Sequence, residues 1–135
     1  MNKPPPLMLL QSTFARFACT QRTARDLDVL RDSVARACAL PPDAPWDRKA
    51  AAHAEFHRLL ADATGMSVVA LVARYISGSL QDLITRAGPS AEHLIIASRH
   101  RLLGHLEARD EDGAAREMED HLTRLDSRSQ IIQST

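Results

Sequence analysis

At 135 residues, with 44% apolar and 25% charged side chains, the chain suits one globular domain that buries its core without disulfides. Lysine plus arginine and aspartate plus glutamate balance at 17 each, which excludes the basic footprint of a nucleic-acid-binding domain. The only cysteines, Cys19 and Cys38, form neither a disulfide framework nor a CxxC pair, and read as two reduced, packed thiols of a cytoplasmic protein.

The opening MNKPPPLMLL has an apolar run too short for a signal peptide, so residues 1–9 read as a proline-rich leader or linker remnant. The pattern that follows is helical, with few β-branched or aromatic residues and no useful alternation of period two. The first helix is expected from about Leu10 to Arg22, with Phe14, Phe17 and Ala18 inward. Thr23 can cap a second helix to about Ala37, with Leu27, Leu30 and Val34 on one face. Three prolines forbid helix in ALPPDAPWD, residues 39–47. A third helix starts near Pro45 or Trp46 and ends at the capping Gly65.

Ser67 opens a fourth helix, carrying Val68, Val69, Val72, Ile76, Leu80 and Leu83, which Gly88 and Pro89 stop. A fifth spans about Ser90 to Arg109. The carboxylates of Asp110 to Asp112 suit the N-terminus of a sixth, which reaches about Asp126 and leaves residues 127–135 as a frayed tail. Six helices with short connections make an all-α antiparallel bundle, and residues 10–126 form the domain. No apolar stretch approaches the roughly 18 residues of a membrane span. Phosphate-binding loops and nucleophile elbows are absent.

Polar residues fall on the inward faces of three helices. In HAEFH, His53 and His57 stand four apart and share one side of the third helix with Ala50 and Leu60. The neighbouring stripe, Ala52, Phe56, Leu59 and Ala63, reads as core, so the imidazoles border the interior or face it. A pair at this spacing is a two-point chelate for a metal, though weak as a motif by itself. His121 adds a third imidazole, because it lies three after Met118 and four before Leu125 on the apolar face of the sixth helix. Arg99 sits among Ile95, Leu102 and Leu106 on the apolar face of the fifth. A guanidinium there snorkels outward, forms a structural salt bridge, or stands ready to grip a carboxylate or phosphate with paired hydrogen bonds. His93, His100 and His105 read as surface residues.

HAEFHRLLADATG, together with ARDEDGAAREMEDHL and the opening helix pair, resembles the FCD domain, the effector-binding domain of FadR-type GntR transcriptional regulators. The resemblance covers roughly residues 10–126. It implies a helical bundle around a central ligand cavity. In many members one aspartate and three histidines hold a divalent metal there, and the metal helps bind a small organic acid. A homodimer then changes how it presents DNA-binding heads. His57 and His121 match two of the family's histidines, and His53 stands at the usual aspartate. The remaining ligand position falls on Arg99, which cannot ligate a cation. Met66 replaces the usual asparagine after Gly65, and the chain lacks the family's N-terminal winged helix-turn-helix.

Two versions of the cavity follow. In one, His53, His57 and His121 hold a transition metal, with zinc or nickel the leading candidates. In the other the metal is gone, and Arg99 supplies the positive charge that an anionic effector meets directly. Placing both cations together costs roughly 4 kcal/mol at 4 Å for each unit pair at intermediate dielectric. An enzyme, either a metal hydrolase or a lyase using the same histidines, is the competing class. Glu55 points elsewhere than its flanking histidines, and the spacing is not HExxH. The expectation is therefore a non-catalytic sensor.

Overall fold

The structure is a computed structural model that describes residues 6–133. Among them are six α-helices and no strand: α1 (Pro6–Gln21), α2 (Ala24–Cys38), α3 (Trp46–Asp62), α4 (Ser67–Ala87), α5 (Glu92–Ala108) and α6 (Glu111–Gln133). A 3-10 turn, Pro89–Ala91, joins α4 to α5. The all-α bundle expected from the periodicity is the observed fold.

Local chemistry sets most of the helix ends. Thr23 Oγ1 accepts from the Asp26 backbone N–H at 3.0 Å, and Asp26 Oδ2 accepts from the Thr23 N–H at 2.9 Å. This reciprocal capping box starts α2. Gly65 follows α3 with φ +70°, a left-handed conformation that a side chain would strain. Asp110 Oδ1 accepts from the Gly113 N–H at 3.0 Å at the start of α6. Two arginines cap neighbouring helices reciprocally. Arg22 donates to the carbonyls of Leu106 and Glu107 at the end of α5, and Arg109 donates to those of Cys19, Thr20 and Arg22 at the end of α1.

Two boundaries lie beyond their expected places. α1 begins at Pro6, a residue whose fixed φ suits the first helical position; Pro4 and Pro5 are outside the described residues. α6 runs on through Gln133, past the expected end near Asp126. Its last turns are tied down: buried Ser129 accepts from Arg86 Nη1 at 3.0 Å, and Arg128 donates to Ser90 Oγ at 2.9 Å.

α6 packs against α1, α4 and α5, while α3 packs against α2 and α4. Leu30, Leu60, Ile95, Leu106, Met118 and Leu125 lie in the main core between them. A smaller cluster of Phe14, Ala61, Val69 and Ala73 joins α1, α3 and α4. Phe17 departs from its expected inward position and is 40% exposed. The buried face of α1 is centred on Gln11, Phe14, Ala15 and Ala18, and Phe17 projects well to one side of it. Cys19 is buried as expected, with its thiol against the carbonyls of His105 and Asp110, and burial pushes its pKa up to about 11. Cys38 is exposed at the end of α2, where the helix faces the proline loop, so it is not a packed thiol.

Candidate functional site

The four residues singled out by periodicity are all buried in the bundle, and the side chains of three of them, His57, Arg99 and His121, meet. His53 is 3% exposed, His57 2%, His121 2% and Arg99 1%. Ala50, His53, His57 and Leu60 are all buried, whereas Ala52 and Leu59 are half-buried. The imidazole stripe of α3 is thus buried throughout, and of the neighbouring stripe Phe56 and Ala63 are buried as well.

Arg99 lies at the centre. Its Nη2 is 3.2 Å from His57 Nε2 and donates to the His53 carbonyl at 3.1 Å. Its Nη1 is 3.3 Å from His121 Nε2. The guanidinium carbon stands 4.7 Å from the centre of the Phe56 ring, a cation–π contact. A guanidinium only donates, so both Nε2 atoms must accept and both rings carry their proton on Nδ1. The surroundings of His57 agree, because its Nδ1 lies 3.1 Å from Gln11 Oε1, an acceptor. The His57 and His121 rings lie nearly parallel, 18° apart in plane, with centres separated by 6.4 Å.

Electrostatics holds these imidazoles neutral. Burial is the main cause that drives both His57 and His121 well below the ordinary histidine value, and the Arg99 charge adds to it. Burial also lowers Arg99, to about 9, which leaves it charged at neutral pH. Among the described residues no carboxylate pairs with this guanidinium; its polar partners are two neutral imidazoles and one carbonyl. Arg99 Nε and Gln11 Nε2 are buried and have no acceptor among the described residues.

His53 faces another way. Its Nε2 is 2.9 Å from Glu92 Oε2, and the other oxygen of that carboxylate, Oε1, lies 3.7 Å from Lys49 Nζ. Burial lowers its pKa, and the Glu92 hydrogen bond opposes that shift. His53 thus meets Arg99 through its backbone carbonyl.

This donor set, as arranged, does not fit a divalent ion. A metal needs the Nε2 lone pairs of His57 and His121, and both are directed at guanidinium nitrogens. An ion about 2 Å from either Nε2 would overlap Arg99. Among the described residues, no group of three or more histidine, cysteine, aspartate or glutamate side chains is placed to hold a metal. Glu55 is turned to Arg58, 3.1 Å away, and stands apart from this centre.

Gln11 and Glu117, both buried, and the half-buried Glu92 were not singled out from the sequence. Gln11 lies three before Phe14 and seven before Ala18, on the core face of α1. Glu92 lies seven before Arg99 on α5. Glu117, four before His121, is 8% exposed and accepts from Ser98 and Arg101. The helical spacing that exposed His121 and Arg99 marks all three.

Residues 7–124, nearly the whole chain, match the FCD domain. The chain belongs to the FCD family. FCD domains are the effector-binding, regulatory domains of GntR-family transcription regulators. No curated protein matches this FCD domain. Among its described residues no helix is long and apolar enough to cross a membrane.

Proposed function

We propose that this FCD domain senses a small organic acid in the interior of the bundle, with Arg99 as the anchor for the carboxylate. One observation carries this proposal: a fully buried guanidinium has no anionic partner among the described residues. Burying an unpaired charge is costly, and a carboxylate that accepted from it would recover much of that cost. Arg99 Nε and Gln11 Nε2 are two further donors with free capacity. The domain acts in the cytoplasm as a sensor without catalysis. His57 and His121 are neutral acceptors for a guanidinium, and the nearest glutamate in sequence is engaged elsewhere. DNA contact is assigned to a winged-helix domain, since this neutral chain supplies no basic surplus.

The reading includes a homodimer. The outer face of α4 supports it: Val68, Leu71 and Tyr75, at helical spacing, are 65%, 66% and 91% exposed.

Thermal unfolding against a panel of mono- and dicarboxylates tests the anchor. A ligand at a hundred times its Kd adds about 2.7 kcal/mol of stability. At least one acid should raise the Tm saturably in the parent protein, and the same acid should have no effect on Arg99→Met and a weaker one on His121→Ala. Equal shifts in parent and Arg99→Met would remove Arg99 from the role. No shift with any acid would remove the carboxylate.

A further inference from the structure

Two imidazole lone pairs directed at one interior point make a seat for a cation. His57 and His121 come from α3 and α6, and Arg99 comes from α5 between them. The hydrogen bonds at 3.2 and 3.3 Å show what fills the seat: the two terminal nitrogens of one guanidinium. The Gln11 contact fixes His57 in the tautomer whose Nε2 is free to face a cation. The Phe56 ring, behind the guanidinium carbon, favours a positive charge at the same spot. A soluble ion could be lost by exchange, whereas this cation is part of the chain.

We propose that Arg99 is a tethered replacement for a metal ion: the domain holds no stoichiometric metal, its effector binding is independent of divalent cations, and removing the guanidinium converts the seat into a transition-metal site. The part concerning the effector rests on the carboxylate reading above; the part concerning metal stands apart from it. Neutral imidazole nitrogen suits zinc, nickel and cobalt. A histidine at position 99 would stand on the same buried face of α5 and bring a third ring nitrogen to the pair.

Metal content tests this directly. Parent protein, purified without exposure to affinity-column nickel, should carry well under about 0.1 equivalent of zinc, nickel, copper, iron, manganese or cobalt by elemental analysis. About one equivalent per chain, retained through dialysis, would overturn the proposal even if carboxylates bind. Cobalt chloride is then titrated into the parent and into Arg99→His, with visible absorption as the readout. The variant should bind at least about tenfold more tightly and show the ligand-field bands of a nitrogen-ligated ion. If circular dichroism shows that Arg99→His fails to fold, Arg99→Ala serves in its place, since it frees both Nε2 atoms without adding a side chain. A folded variant that takes up cobalt no better than the parent would overturn the proposal. A metal-free parent that ignores every carboxylate would instead sink the carboxylate reading and leave the tethered cation standing.

Discussion

Burial decides the charge states at the centre of this bundle, and through them its response to pH. His57 and His121 have folded-state pKa values well below the ordinary value of about 6.5, with desolvation as the main cause. In the unfolded chain both take up protons near pH 6.5; in the folded chain they do not. Below that pH the unfolded state binds more protons, so stability falls as pH drops from 6.5 towards the folded values. The slope is at most about 1.4 kcal/mol per pH unit for each histidine. Urea unfolding between about pH 7 and pH 5 should show the loss, and a flat profile would mean that the rings are solvated. Phe56 is 1% exposed and backs the guanidinium, so Phe56→Ala should cost about 3–5 kcal/mol in the same assay. At this scale the sequence disclosed which faces are buried, because helical spacing aligns His121 and Arg99 with Leu125 and Leu106. It did not disclose that Arg99 bonds to the histidines themselves. Side-chain reach between helices is set by packing, and spacing along one helix carries no record of it.

Helix ends depend on a few backbone groups that local side chains can satisfy. The Thr23 capping box closes two of them at the start of α2. Thr23→Ala should therefore lower stability by about 1 kcal/mol, read as a shift in the urea midpoint without a change in slope. Thr13, whose hydroxyl bonds only back to the Leu9 carbonyl on an exposed face, is the control, and Thr13→Ala should be within about 0.5 kcal/mol of the parent. An equal loss from both would deny the cap its role. The start of α2, governed by such local chemistry at Thr23, was legible in the sequence, and so was that of α3, which follows the proline loop without a side-chain cap. The end of α6 was not, because Ser129 and Arg128 are held by Arg86 and Ser90 from distant turns of the chain. Phe17 was misplaced for a related reason. An aromatic residue beside a buried stripe reads as part of it until the neighbouring helices fix where that stripe is centred.

At the scale of the whole molecule, six helices enclose a polar centre that is charged at neutral pH, with neutral acceptors around it. The outer face of α4 leaves Val68, Leu71 and Tyr75 in solvent. If that face joins two copies, the Leu71→Glu protein should elute as a monomer with an unchanged helical spectrum, where the parent is a dimer by light scattering. A monomeric parent would oppose the dimer reading. The proposed role of Arg99 is to receive the effector's carboxylate on its unpaired guanidinium without a metal between them. It is tested most directly by a crystal structure of the EDTA-treated domain with the acid that most raises its Tm. A carboxylate oxygen should lie within about 3 Å of an Arg99 nitrogen, at charge-assisted hydrogen-bonding distance. A carboxylate bound through a metal ion, or seated in a surface groove away from Arg99, would contradict it.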